Sequence, residues 1–205
     1  RVYISDPIAL WGYGNELWIG NDKGCIWKFT GENYKQELND FALNGKFIFF
    51  VKMTGTSNNE IYAVGDNRIN PILMKYDGSS WYLDKTLPDT GIFNQIEYCY
   101  RNDRYYLVCA PNNYTTKIYE YDRKNLKVIY EYPPSNAGLS IASIDGYPYI
   151  AVDKKIYRYY NSKMEFIFEI NSPSFGGVIW GRNRNDIFIR MQDGLAHYNG
   201  TDWQY

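Results

Sequence analysis

A fivefold recurrence of bulky rings constrains this chain more than any other feature. One series, Trp18, Tyr62, Tyr106, Tyr149 and Phe188, lies inside apolar runs; a second, Phe29, Tyr76, Tyr121, Tyr159 and Tyr198, closes the next run. A third, Tyr34, Trp81, Leu126, Met164 and Trp203, follows five positions later. Successive members of the first series are 44, 44, 43 and 39 residues apart. A period of that size is one all-β unit that cannot bury both faces alone and therefore stacks on its neighbours.

Each period divides into four short β segments, here a to d, separated by Gly, Asn, Asp, Ser or Pro, which turn the chain by tolerating or fixing unusual φ. Strand b is expected over 16–20, 60–65, 104–110, 147–152 and 186–191, and strand c over 25–29, 73–76, 117–121, 155–159 and 195–198. Strand b is apolar on both faces, as in a strand sandwiched between neighbouring sheets. Strand c alternates. Its register puts Ile26, Leu73, Ile118, Ile156 and Leu195 in one slot and Lys28, Lys75, Glu120, Arg158 and His197 in the slot two residues on. The sole histidine, His197, therefore reads as a slot filler rather than a general base or metal ligand.

Helical periodicity is absent, so the expected fold is all-β: a β-propeller of five four-stranded antiparallel blades. Residues 1–205 read as a single domain, with units at about 8–36, 46–84, 95–132, 140–170 and 177–205. Residues 1–7 followed by 8–12 repeat the pattern of 166–173 followed by 178–181, so 1–5 read as a closing outer strand. Yet Trp203 already begins such a strand for the fifth unit. A closed ring of five and a five-blade segment of a ring of six to eight both accommodate this.

Lys plus Arg number 22 against 23 for Asp plus Glu, which gives no electrostatic reason for a nucleic-acid partner. The densest apolar stretch, 47–51, has the length of a strand and not the ~20 residues of a bilayer span, so no membrane insertion is expected. Three cysteines give an odd count, with Cys99 and Cys109 in one hairpin on opposite faces; with Cys25 they read as small buried hydrophobes. No cofactor or metal is expected. The chain starts at Arg1, and a leader removed before it and a start within a longer protein are equally open.

Segments 179–188 (IWGRNRNDIF) and 193–203 (DGLAHYNGTDW) resemble a repeat of bacterial exported propellers, and 55–66 (GTSNNEIYAVGD) with 75–81 (KYDGSSW) is similar. Segments 16–24 (ELWIGNDKG) and 26–31 (IWKFTG) resemble the two-component-regulator propeller repeat of periplasmic sensor regions. Units three and four keep the aromatic register and lose the Gly signature. Kelch repeats would carry a double Gly where this chain has Ile19-Gly20 and Val64-Gly65, and WD40 repeats a Trp-Asp at the end of strand c. The resemblance implies export to the periplasm or outside the cell, lipoprotein attachment included, and a binding or sensing role.

The first functional expectation is a non-enzymatic module that recognises a protein or a glycan. Loop length is its support: the first and second aromatics are separated by 11, 14, 15, 10 and 10 residues, so units two and three carry the excess. Their loops, 65–71 and 110–115, supply candidate ligand-binding residues Asp66, Asn67, Arg68, Asn70, Asn112, Asn113 and Tyr114, and the connection 89–94 adds Phe93. Arg68 suits a carboxylate, and Phe93 or Tyr114 an apolar or sugar face. A hydrolase or lyase is the weaker expectation, with Asp66, Asp89 and Asp153 as the acids nearest that rim. A third reading is the sensor region of a larger protein, marked by an apolar patch around Trp11 and Trp180.

Overall fold

The structure, a computed structural model, describes residues 6–39, 42–43, 45–88, 90–111, 115–133, 139–170 and 175–204. The first sheet holds β1 (Pro7–Tyr13), β2 (Glu16–Asn21), β3 (Ile26–Phe29) and β4 (Tyr34–Leu38), followed by a small hairpin of β5 (Ala42–Leu43) and β6 (Lys46–Phe47). The second holds β7 (Phe49–Ser57), β8 (Glu60–Asp66), β9 (Pro71–Tyr76) and β10 (Trp81–Thr86). In the third lie β11 (Gly91–Cys99), β12 (Arg104–Pro111), β13 (Thr116–Tyr121) and β14 (Leu126–Tyr132). The fourth comprises β15 (Leu139–Ile144), β16 (Tyr147–Val152), β17 (Lys155–Tyr160) and β18 (Lys163–Glu169), and the fifth β19 (Phe175–Asn183), β20 (Asp186–Met191), β21 (Leu195–Tyr198) and β22 (Trp203–Gln204). Every four-stranded sheet is a meander with neighbours in chain order, and the described residues form no helix. The expected closing strand, 1–5, lies outside the described residues. The β5–β6 hairpin has no counterpart in the sequence pattern.

The chain divides into two compact units, 1–96 with 109–113, and 97–108 with 114–205. In the first, the core joins Ala9, Trp18 and Ile26 of the first sheet to Phe50, Met53, Ile61, Ala63, Ile72 and Met74 of the second. Trp18 is fully buried against Tyr76 and Trp81, its ring 4.8 and 5.9 Å from theirs. In the second unit, Tyr106, Val108 and Ile118 pack on Ile141 and Ile150, and Ala142, Ile144 and Ile156 pack on Ile179, Ile187 and Ile189. Strand b is the buried strand throughout, as its two apolar faces require.

A regularity that sequence pattern does not disclose lies in the outermost strands. Between Ile26 and Trp27, Leu73 and Met74, Ile118 and Tyr119, and Ile156 and Tyr157, strand d carries one extra residue: Glu37, Asp84, Ile129 and Ile167. The same register position is bulged in four sheets. A bulge there bends and twists the edge, which blunts its tendency to pair with another chain.

Two sheet faces break the pattern of burial. Leu10 of β1 is 59% exposed, whereas Met53, Ile141 and Ile179 in the same slot of other sheets are 2%, 2% and 3% exposed. On β21, Leu195 is 46% exposed, whereas Ile26, Leu73, Ile118 and Ile156 are all at 0%. Both faces carry the apolar residues that other sheets bury. Trp180 extends the second face: its ring stacks on Phe188, which in turn stacks on His197 at 4.2 Å. Trp11 is only partly exposed, because Gly55 leaves room for its ring; a Cβ there would sit 2.9 Å from Trp11. The expected apolar patch thus survives at Trp180 and not at Trp11.

The three cysteines are buried and form no disulfide. Burial pushes the Cys99 thiol up to about 12.

Candidate functional site

The β8–β9 turn, 67–70, is built by its own side chains. The side-chain Oδ1 of buried Asn67 accepts the N–H groups of Ile69 at 3.2 Å and Asn70 at 2.7 Å, while Asp66 Oδ1 accepts that of Arg68. Burial raises the Asp66 carboxyl, against the backbone bond and the charge of Arg68. Asn70 Nδ2 donates to Pro88 O at 3.2 Å, and Gly91 N donates to Ile69 O at 2.8 Å. Asp66, Asn67 and Asn70 therefore shape the loop and leave Arg68 and Ile69 exposed, Arg68 as its charged group. Arg68 is exposed, takes φ +70°, places its guanidinium 4.9 Å from the Phe49 ring and donates to Asp22 O at 3.3 Å.

Phe93 corrects an expectation. It lies inside β11, not in a loop, and is fully buried, so it has no face to offer a ligand. Strand a of the third sheet starts earlier than the pattern of loop residues implied, and Phe93 is buried within it, as are Ile96 and Cys99. Asn112, Asn113 and Tyr114 lie outside the described residues, as does Asp89. Asp153 is an exposed turn residue with φ +54°.

At the other end of the strands, a repeated charge clasp closes b onto c. In the first sheet Glu16, which opens strand b, pairs with Lys28 at 2.6 Å, and Lys28 lies 5.1 Å over the Trp18 ring. The second sheet repeats this with Glu60, Lys75 and Tyr62 at 3.9 and 5.4 Å, and in the fifth Asp186 Oδ1 and His197 Nε2 are hydrogen-bonded at 2.8 Å, the imidazole stacked on Phe188. Diagonal neighbours on a sheet face are within reach of such long side chains. His197 thus belongs to a structural pair, as its slot implied. Hydrogen bonds from Arg182 and then His197 hold the Asp186 carboxyl below its usual range. A carboxyl lowered by folding stabilises above its unfolded value of about 3.9, and that stability is lost as pH falls through the folded value. Asp186→Asn should be less stable than the parent at neutral pH and show a shallower loss below about pH 4, read by urea unfolding across pH.

The third sheet inverts this clasp. Arg104 opens strand b, Glu120 faces it, and the two line a cavity of about 380 Å³ with Arg101, Asn102, Tyr147, Tyr159, Tyr160, Asn161 and Ser162. Arg104 Nη1 donates to the carbonyls of Asp103 at 3.0 Å and Asn102 at 3.5 Å. Glu120 Oε2 accepts the Tyr106 hydroxyl at 2.9 Å, and Asn102 Nδ2 donates to that hydroxyl in turn. Burial, then the Glu120 charge, raises the Tyr106 phenol, so it stays a donor. Arg101 is committed elsewhere: it donates to Asp145 O at 3.1 Å and pairs with Asp145 Oδ1 at 3.0 Å. The cavity's far wall is the tight 161–162 turn, where Asn161 and Ser162 have φ +50° and +60°. Between the fourth and fifth sheets a cavity of about 440 Å³ is lined by Tyr149, Arg158, Arg184 and Trp203 among others. There Arg158 is already held by Glu165 at 2.6 Å. Sequence pattern singles out none of these cavity residues as a site, though the sign of Glu120 in a slot otherwise basic or imidazole is visible there.

No family model matches the sequence, and no curated protein matches it. Solved structures do. The extracellular domain of the one-component system BT4673 from B. thetaiotaomicron aligns with a TM-score of 0.69 at 15% identity over 97% of this chain, which spans 28% of that protein's chain. YCF48 bound to D1 peptide gives 0.67 at 14% identity, covering 98% of this chain and 68% of its own. Virginiamycin B lyase from Staphylococcus aureus gives 0.68 at 13%, covering 98% and 69%. Likeness at this level of identity establishes fold and leaves function to the site. The chain has the β-propeller fold, its described residues forming five four-stranded antiparallel sheets, and its structural neighbours include the extracellular domain of a one-component system.

Proposed function

We propose that the chain is a non-enzymatic recognition module of an exported bacterial protein, its sheets serving as a rigid platform for a protein or glycan ligand. Arg68 carries this reading. A non-glycine residue held at positive φ is a strained backbone, and here the strain keeps an exposed guanidinium on a turn whose other polar groups are used internally. An exposed, ordered guanidinium suits a carboxylate-bearing partner. The peptide in the YCF48 structure supports a propeller in this role, and Asn112, Asn113 and Tyr114 are carried forward as further contacts. The BT4673 neighbour favours one variant, in which the module is the sensing portion of a longer signalling protein in the periplasm or outside the cell.

The test titrates the protein with a panel of acidic peptides and acidic and neutral oligosaccharides, followed by amide chemical shifts. Arg68→Ala should weaken the responding ligand at least about tenfold, the cost of leaving a charge-assisted contact unmade. A silent panel, or an unchanged affinity in the variant, would remove the support for this site.

A further inference from the structure

The open clasp of the third sheet carries an inference independent of Arg68. In two sheets the paired charges on strands b and c meet at 2.6 and 3.9 Å, and in the fifth Asp186 meets the His197 imidazole at 2.8 Å. In the third, Arg104 donates to the carbonyls of Asn102 and Asp103 and its charge acts on the Asp103 and Asp122 carboxylates rather than on Glu120, which is held by a neutral hydroxyl. Both border the same cavity, which is therefore flanked by a guanidinium and a carboxylate that do not neutralise one another. Opposite charges kept apart in a partly buried site are best satisfied by a ligand that brings the complementary charge to each.

We propose that this cavity binds a small zwitterion, an α-amino acid with an uncharged side chain, its carboxylate on Arg104 and its ammonium on Glu120. The volume is within the range of small-molecule sites. Asn102, Asn161 and Ser162 supply neutral hydrogen-bonding groups beside the charges. The Tyr147 and Tyr160 rings, edge to face at 5.6 Å, also line the cavity, with the Arg158 guanidinium 5.3 and 5.2 Å over them and that of Arg101 5.3 Å over Tyr147. A saccharide would hydrogen-bond to both charged groups but neutralise neither, which makes it the weaker fit.

The experiment uses the whole 205-residue chain, with glycine, leucine and phenylalanine as probes, acetate and methylammonium as half-ligands, and neutral disaccharides as controls, by calorimetry and amide shifts. The amino acids should bind with shifts confined to the cavity, and each half-ligand at least about tenfold more weakly. The double variant Arg104→Glu/Glu120→Lys writes the closed clasp of the first two sheets into the third and should abolish binding while the protein still melts cooperatively. Should that variant fail to fold, Glu120→Gln keeps an acceptor for the Tyr106 hydroxyl and should weaken the amino acids while leaving acetate unchanged. No amino-acid binding at about 10 mM, equal affinity of variant and parent, or disaccharides binding in the amino acids' place would overturn the proposal.

Discussion

Gly65→Ala is expected to be the most damaging single methyl that can be added to this protein. Gly65 is the last residue but one of β8, opposite Phe50 and next to the point where β7 bulges, and a Cβ built on it would lie 1.8 Å from the Phe49 carbonyl oxygen and 2.8 Å from its carbon. Backbone, unlike a long side chain, cannot swing aside, so one of two paired strands has to shift within a buried sheet. The cost should exceed the usual 1–3 kcal/mol of overpacking and reach about 4 kcal/mol, near the limit for point changes. Urea unfolding by tyrosine and tryptophan fluorescence measures it. A loss under about 1 kcal/mol would mean that the bulge can relax and that this close approach is no constraint.

A matched pair of truncations should give the next largest effect. Ile26→Ala and Leu195→Ala remove side chains from one slot of the repeat, yet Ile26 is fully buried and Leu195 nearly half exposed. Ile26→Ala should cost about 3 kcal/mol, transfer and cavity terms together, and Leu195→Ala under about 1 kcal/mol. Equal losses would show that the face of β21 is covered in solution, for example in a dimer, and sedimentation would then report the assembly.

Sheet number, strand order and most strand limits can be read before any coordinates, because strand b is apolar on two faces and strand c on one, and that contrast recurs at a near-constant period. Phe93 shows where this reading fails. Its neighbours Thr90, Gly91 and Asn94 look like a loop, and only the pairing of β11 reveals an inward-facing strand residue. The Gly signature lost in units three and four has a structural cause too. In units two and five, Gly78 and Gly200 lie against Asn59 and Asn185, where a Cβ would approach within 2.9 and 2.8 Å. In unit three the corresponding turn holds Arg123 at φ +74°, and its guanidinium instead pairs with Asp103 at 2.8 Å over the Tyr98 and Tyr105 rings. Loop excess draws attention to the 65–71 segment and so to Arg68. The cavity escapes notice because it depends on a reversal of sign between strands, which needs the facing partner to be known.

The apolar slots shared by sheets that bury them and sheets that expose them also bear on how such a chain changes over generations. Because Leu10 and Leu195 sit where Met53 or Ile118 is swallowed by a neighbour, the first and fifth sheets are each already dressed for company. Duplication or loss of a forty-odd-residue segment would then leave every surviving interior intact, and length could drift without redesign.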